Sequence, residues 1–264
     1  MWLAVEEPSR GQLRIEPIAA VEHGELTGIL PDCLSDSSDA NSDDPAAEYL
    51  SYGKTYALLF GGARAGEVQI GNLNQSKTVA ELTYKGAAKI RGQVRALATN
   101  ADQTDFRVAS REPATAEQRA SALALAREIF SQHGVPEKLL SGVRIEYLTR
   151  TYLAPSSLPS LIGSFTLETG DSDDLLHSLF FISSLPGERL TPEFVWIHLS
   201  ESGMDEEHLR FVDQGDLFGN GQDEVVTKLV SLETQTHRYV VFHRTRDELH
   251  WEQIFKSNTL GCAY

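Results

Sequence analysis

Residues 143–170 have the sequence VRIEYLTRTYLAPSSLPSLIGSFTLETG, in which two apolar runs flank a segment rich in Pro and Ser. In the first run Val143, Ile145 and Tyr147 alternate with charged residues. This period of two is typical of a strand with one buried face. Similar runs between turn residues continue to residue 256, so this half of the chain is predicted to contain about eight short antiparallel strands.

The opening stretch has a counterpart further along the chain. Residues 209–235, LRFVDQGDLFGNGQDEVVTKLVSLETQ, align with it at an offset of about 64 residues, which pairs Ile162 with Val226. The alignment predicts two degenerate four-stranded units, at 143–200 and 208–256. A β-propeller is a closed ring of at least about four such four-stranded blades, so two units cannot form a propeller. We expect them to pack with the N-terminal strands as a sandwich or an incomplete ring.

The N-terminal region, residues 1–110, is also predicted to be rich in strands. The segment TYALLFGGARAGEVQIGNL at 55–73 places two apolar runs around a Gly-Gly pair, which is typical of a hairpin. The acidic segment at 33–48 is different, because residues 35–44 contain only Ser, Asp, Asn and Ala. Such a composition buries too little apolar surface to order itself. This segment is predicted to be a flexible loop, with a weak cation site as the alternative.

One long helix is predicted near 115–133, within a helix and connector region at 111–142. Thr115 and Gln118 have the spacing of a capping box. Gly134, with a proline two residues later, is a typical helix end. The predicted fold class is therefore α+β, predominantly antiparallel β with one long helix.

The charge of the chain narrows its possible partners. The 264 residues include 38 acidic and 23 basic side chains, a formal charge of −15, which repels phosphate groups and argues against nucleic acid. No apolar stretch approaches the roughly 20 residues that span a bilayer, so membrane insertion is not expected.

The N-terminal residues do not have the pattern of a signal peptide. Cys33 and Cys262 form one bridge or remain thiols, and the sequence leaves both alternatives open.

The turn segment of the second unit, DQGDLFGNGQDE at 213–224, is rich in acids and glycines. It resembles the calcium loops of FG-GAP-like and related extracellular β-propeller repeats, whose pattern is D-x-D-x-D-G-x-x-D/E before an apolar strand. The resemblance implies a calcium site, because calcium takes six to eight oxygen ligands. Its implied ligands are Asp216, Asn220, Gln222 and Glu224, with Gly221 as the turn glycine. Asp213 or Asp223 could serve as substitute ligands.

The segment departs from that pattern at Phe218, which occupies the second ligand position and has no oxygen to offer. The aligned segment of the first unit has Tyr152, Ser156 and Ser160 at the ligand positions, so it lacks every acid. A structural turn, bent by the two glycines of the segment, is therefore the alternative to a calcium site. The resemblance also implies an extracytoplasmic location.

Aromatic residues of the predicted strands are expected to fill the core: Trp196, Tyr239, Phe242 and Trp251. In the last strand Trp251 and Phe255 are predicted to share one face, because their positions differ by four and side chains alternate with a period of two. An exposed aromatic strip that binds sugar is the alternative.

No nucleophile elbow, zinc-protease motif or phosphate-binding loop occurs in the sequence. Ser51 and Lys54 have the S-x-x-K spacing of penicillin-recognising acyl-transferases. They precede a predicted strand, and an extended backbone would separate the two side chains. His237 and His243 share a strand face but lie about 20 Å apart, too far to ligate one metal.

These observations predict a non-catalytic extracytoplasmic binding or interaction protein, with a protein or carbohydrate partner. A hydrolase whose site is assembled from separate loops is the first alternative, and a structural subunit that pairs through exposed strand edges is the second. A cleft with convergent titratable groups would favour the hydrolase, and a flat or aromatic-striped surface would favour the binding protein.

Overall fold

The computed structural model describes residues 1–9, 12–30, 49–73, 80–85, 95–100, 111–153, 158–170, 175–185, 190–203, 205–245 and 250–261. The predicted acidic loop at 33–48, with Cys33, and the second cysteine, Cys262, lie outside the described residues. In the described ranges no helix is long and apolar enough to cross a membrane. Antiparallel strands in three sheets dominate, with one long helix, which confirms the predicted α+β fold class.

Seven strands form the first sheet: β1 (Trp2–Ser9), β2 (Gln12–Glu22), β3 (Glu25–Thr27), β4 (Thr55–Phe60), β5 (Ala63–Leu73), β6 (Ala80–Lys85) and β7 (Arg95–Thr99). Their order is β1-β7-β4-β5-β6-β2-β3, and β1 also pairs with β2. Six strands thus close into a ring, named here the N-terminal ring, while β3 pairs with the far end of β2. The predicted hairpin at 55–73 is confirmed as β4 and β5.

The remaining elements are β8 (Glu112–Pro113), α1 (Ala116–Gln132), α2 (Glu137–Leu140), β9 (Arg144–Thr151), β10 (Ser160–Glu168), β11 (Leu176–Ser184), β12 (Thr191–His198), β13 (Glu207–Gly215), β14 (Glu224–Ser231), β15 (His237–Arg244) and β16 (Trp251–Lys256). The five-stranded sheet has the order β12-β11-β10-β9-β8, and the four-stranded sheet has the order β13-β14-β15-β16. Strands β9 to β16 are the eight antiparallel strands predicted in this half of the chain.

The helix α1 begins at the predicted capping box. The Thr115 hydroxyl accepts a hydrogen bond from the Gln118 amide, and the Gln118 side chain accepts one from the Thr115 amide. These two bonds satisfy backbone donors that the first helical turn leaves without partners. The helix ends at Gln132 with His133 as its C-cap, and Gly134 follows with a positive φ of 88°, a conformation that glycine adopts without strain.

The helix, the two sheets and the ring are stacked in four layers. The helix α1 covers one face of the five-stranded sheet, where Phe130 joins Phe165 and Phe181 in one apolar cluster. The other face packs on the four-stranded sheet, with the rings of Phe180 and Phe242 6.4 Å apart. The far face of the four-stranded sheet covers the N-terminal ring. The layers form a sandwich, one of the two arrangements that we predicted.

Aligned side chains of the two C-terminal sheets point in the same direction along the stack. Leu161 of β10 points to the helix, and its aligned partner, Val225 of β14, points to the five-stranded sheet. Ile162 points to the four-stranded sheet, and its partner, Val226, points to the ring. Consecutive copies of one unit would stack in this way. The repeat relationship itself stays a prediction.

The prediction that Trp251 and Phe255 share one face of the last strand is wrong. Trp251 packs between the two C-terminal sheets, whereas Phe255 packs against the ring. The β15–β16 register shifts between two neighbouring pairs, Val241 with Phe255 and Phe242 with Gln253. The extra residue on β16 reverses the alternation of its side chains.

Candidate functional site

The segment between β13 and β14 is a turn closed by its own side chains. The two carboxylate oxygens of Asp216 accept hydrogen bonds from the amides of Asn220 and Gly221, at 2.9 and 2.7 Å. The Asn220 side-chain oxygen accepts one from the Gln222 amide at 2.9 Å. Gly219 and Gly221 have positive φ angles of 70° and 86°, which lets the backbone bend around the Asp216 carboxylate.

The other two predicted calcium ligands are held by other partners. The Gln222 side-chain nitrogen donates to the Arg244 carbonyl at 2.9 Å. Glu224 is fully buried, and one of its oxygens accepts a hydrogen bond from the Leu217 amide at 2.7 Å. Its other oxygen lies 2.8 Å from Nδ1 of His243.

The structure therefore brings Asp216 and Asn220 together and directs Glu224 inward. To join a calcium ion at the turn, Glu224 would have to leave both His243 and the Leu217 amide. Within the described ranges, no group of three or more His, Cys, Asp or Glu residues is arranged to hold a metal ion. Calcium at this turn stays a prediction.

The two substitute ligands considered above, Asp213 and Asp223, are buried in other contacts. Asp213 lies 3.2 Å from the Arg111 guanidinium and accepts hydrogen bonds from the Gly61 amide. Asp223 accepts a hydrogen bond from the Gln214 side chain at 3.0 Å. The Asp213 carboxylate thus connects β13 to the N-terminal ring, whereas the hydrogen bond of the Asp223 carboxylate to Gln214 lies within the four-stranded sheet.

Burial changes the acidity of the carboxyl groups around the turn. Burial raises the pKa of Glu224 to about 8, and the charges of Asp216 and Asp223 add to the rise, while the Leu217 amide opposes it. With Glu224 protonated, its hydroxyl donates to His243 Nδ1, and the ring carries its proton on Nε2. With Glu224 ionised, His243 donates from Nδ1 to the carboxylate. In both states the carboxyl group fixes the orientation of the imidazole.

His243 also lines a cavity of about 430 Å³, named here the hairpin pocket. Its walls come from the β2–β3 hairpin, the β13–β14 turn and strands β15 and β16: Gly24, Glu25, Leu26, Phe218, Asn220, His243 and Ile254. The Phe218 ring meets the His243 ring edge-on, with centroids 6.5 Å apart. Because Nδ1 is held by Glu224, Nε2 is the ring nitrogen that His243 can offer to a ligand.

Sequence reasoning missed the pairing of Glu224 with His243. The β14–β15 register, in which Val225 lies opposite Phe242, places the two residues side by side on adjacent strands. The distance along β15 excluded a shared metal for His237 and His243, but it carried no information on partners in the next strand. A register prediction for the β14–β15 hairpin was the one signal that could have found the pair.

The S-x-x-K segment is a turn that precedes β4. The Lys54 amide donates to the Ser51 carbonyl at 3.1 Å, and Gly53 has a positive φ of 81°. This is not the helical turn that brings the two side chains together in acyl-transferases.

The hairpin pocket thus combines residues from three parts of the chain: 24 to 26, 218 and 220, and 243 and 254. An aromatic ring, an amide, an imidazole and a carboxylate line one open pocket. No protein-family model, curated protein or solved structure matches this chain.

Proposed function

We propose that this chain is a non-catalytic binding protein and that the hairpin pocket is its ligand site. The observation that carries the proposal is the convergence of Phe218, Asn220, His243 and Glu25 on one cavity of about 430 Å³. Small-molecule sites are typically cavities of roughly this size, with apolar walls and a few polar groups that fix the ligand's orientation. Leu26 and Ile254 supply the apolar walls.

The set of lining residues supports binding over covalent catalysis. Among the described residues that line the pocket there is no Ser, Thr or Cys to act as a nucleophile. The described surface also carries no row of exposed aromatic side chains: its exposed large apolar residues are Tyr52, Leu158 and Val195. We therefore place the ligand in the pocket and not on a sugar-binding strip.

A hydrolase is the second candidate, because convergent titratable groups in a cleft, here His243 and Glu25, are the feature that favours an enzyme. It ranks second because the lining residues include no nucleophile, but one further contact supports it. His243 lies 2.8 Å from Glu224, as a general base lies beside the carboxyl group that orients it. In that case the imidazole would activate a water molecule in the pocket. This alternative predicts turnover, whereas the binding proposal predicts none.

The first experiment is ligand-observed NMR with a mixture of small neutral, cationic and anionic molecules. Wild-type protein should give binding signals, and Asn220→Trp, which fills the pocket from an exposed position, should lose them. Gln132→Trp makes a matched change on the exposed surface of α1 and should keep the signals. Binding that survives in Asn220→Trp, or no binding by any molecule, would overturn the proposal.

The second experiment separates the binding protein from the hydrolase. Wild-type protein and His243→Gln are incubated with a generic ester such as p-nitrophenyl acetate. The binding proposal predicts the same slow background release of nitrophenol from both. If only the wild type releases nitrophenol faster than the background, the binding proposal is wrong and the protein is a hydrolase.

We keep calcium at the β13–β14 turn, and an extracytoplasmic location, as further parts of the proposal that rest on the resemblance alone. If calcium binds the native state, millimolar calcium must raise the unfolding midpoint of metal-stripped protein. Asp216→Asn keeps a side-chain acceptor for the turn but removes its charge, so the rise should disappear. An unchanged midpoint in the wild type would leave this segment as a structural turn.

A further inference from the structure

The hairpin pocket lies in an acidic part of the molecule. Glu25 lines it, and Glu22 lies directly opposite Glu25 in the β2–β3 hairpin. Glu252 lies opposite His243 in the β15–β16 register, and Asp216 holds the turn that forms one wall. These acidic side chains make a negative potential at the pocket mouth.

No Lys or Arg is present among the described residues that line the pocket. The nearest cation along the chain, Arg244, follows His243 and is paired with Glu193 at 3.2 Å. Since successive residues of a strand point to opposite faces, Arg244 points away from the pocket side of β15. The charge of Glu25 is therefore not neutralised by a basic wall residue.

Three of the other lining side chains are apolar. Phe218 presents a ring beside His243, and Leu26 and Ile254 close the wall with aliphatic groups. An aromatic ring attracts a positive charge over its face, and aliphatic walls accept the hydrocarbon part of a ligand. An anionic ligand would meet repulsion from Glu25 and gain no cation in return.

We propose that the ligand of the hairpin pocket is a small organic cation, an ammonium group that carries an apolar or aromatic arm. This inference rests on the proposed function and names its ligand class. The ammonium pairs with Glu25 at the pocket mouth, and the arm packs between Phe218, Leu26 and Ile254. The side-chain oxygen of Asn220 accepts a hydrogen bond from the ammonium, and Nε2 of His243 accepts one when Glu224 is ionised.

The test uses two molecules of nearly the same shape, phenethylammonium and its neutral counterpart 2-phenylethanol. Each is titrated into the full chain in calcium-free buffer, with binding followed by NMR chemical shifts. We expect phenethylammonium to bind about two- to fivefold more tightly, which is what one partly exposed charge pair contributes. Added sodium chloride should reduce this advantage, because salt screens exposed charges.

Matched variants test whether the carboxylate of Glu25 contributes to the binding of the cation. Glu25→Gln should weaken phenethylammonium by about two- to fivefold and leave 2-phenylethanol unchanged. Glu22→Gln removes a charge that contributes to the potential but does not line the pocket, so it should weaken phenethylammonium by less than about twofold and leave 2-phenylethanol unchanged. Asn220→Trp should abolish the binding of both molecules.

The outcomes separate this inference from the proposed function. If both molecules bind equally, or if only other neutral or anionic molecules bind and Asn220→Trp blocks them, the cation inference is wrong and the pocket is still a ligand site. An equal effect of Glu25→Gln and Glu22→Gln would also overturn it. If no molecule of the mixture binds, the proposed function fails as well.

Discussion

At the scale of single residues, Arg111 links all three sheets. Its guanidinium lies 3.2 Å from the Asp213 carboxylate of β13 and donates to the Arg95 carbonyl of β7 at 2.8 Å. It also donates to the Tyr147 hydroxyl of β9 at 2.7 Å and lies 4.5 Å from the centre of the Phe60 ring. A planar group with five donors meets these partners at once, which a lysine cannot do.

Arg111→Met should therefore destabilise the fold strongly. Methionine replaces the aliphatic part of the arginine side chain but carries no charge. Asp213 is then buried without its cation. Removing one partner of a buried ion pair costs about 3–5 kcal/mol. Urea denaturation of the variant should show an unfolding free energy lower by that amount.

Arg119→Met is the matched control, because Arg119 is exposed on α1. Its unfolding free energy should change by less than about 0.5 kcal/mol. The double variant Arg111→Met with Asp213→Asn removes the buried charge as well, so it should recover part of the loss. Strict additivity of the two single changes would contradict the coupling between Arg111 and Asp213.

At the scale of single elements, Gly163 shows how closely β10 is packed. A β-carbon at this position would lie 2.6 Å from the Phe165 ring and 2.9 Å from a methyl group of Leu148. Both neighbours are buried in the cluster beneath α1, where the Phe165 and Phe181 rings stack 4.9 Å apart. The absence of a side chain at Gly163 is what leaves room for the Phe165 ring.

Gly163→Ala should lower the unfolding free energy by about 1–3 kcal/mol, the usual cost of an added methyl group in a filled core. Gly203→Ala is the matched control, since a β-carbon there would meet nothing within 4 Å. Thermal or urea unfolding measures both. Equal stability of the two variants would show that the β10 packing tolerates the methyl group.

The elements themselves could be predicted because their signals are local. Alternation of apolar residues marked the strands from β9 to β16, and Thr115 with Gln118 marked the start of α1. The shift in β16 that separates Trp251 from Phe255 could not be predicted, because it depends on pairing with β15. Local patterns fix the type of an element, whereas its register depends on its neighbours.

The candidate site was predictable only in part for the same reason. The sequence of the β13–β14 turn contains Asp216 and the glycines that shape it. The opposite wall of the hairpin pocket, Gly24 to Leu26, is about 190 residues away in the chain and comes close only through the four-layer stack. Similarly, Glu224 is buried next to His243 because their strands pair, which the separation of the two residues in the sequence does not indicate.

At the scale of the whole molecule, a polar cluster joins the N-terminal ring to the four-stranded sheet. Glu16 of β2 accepts a hydrogen bond from the Tyr239 hydroxyl at 2.6 Å and lies 2.7 Å from His237 Nε2. The Lys228 ammonium lies 3.6 Å from the same carboxylate and 3.0 Å from Glu6 of β1. Two strands of the ring are thus tied to two strands of the sheet.

This cluster makes the attachment of the ring dependent on pH. Burial alone raises the pKa of Glu16, but the hydrogen bond to His237, the charge of Lys228 and the Tyr239 hydroxyl outweigh it and hold the pKa at about 2. The ordinary value is 4.5, so the folded state favours the ionised form. The stabilisation is complete above about pH 4.5 and is lost as the pH falls towards about 2.

Glu16→Gln measures this contribution directly. At neutral pH the variant should have an unfolding free energy lower by about 3 kcal/mol, the equivalent of the shift in the pKa. Urea denaturation at a series of decreasing pH values should show the difference in unfolding free energy between the variant and the wild type shrinking below about pH 4.5. The reason is that Glu16 of the wild type becomes protonated in this range. Glu22→Gln removes an exposed charge from the same strand and should follow the wild type throughout. A gap that stays constant down to the acid limit would mean that packing, and not the ionised carboxylate, holds the ring against the sheet.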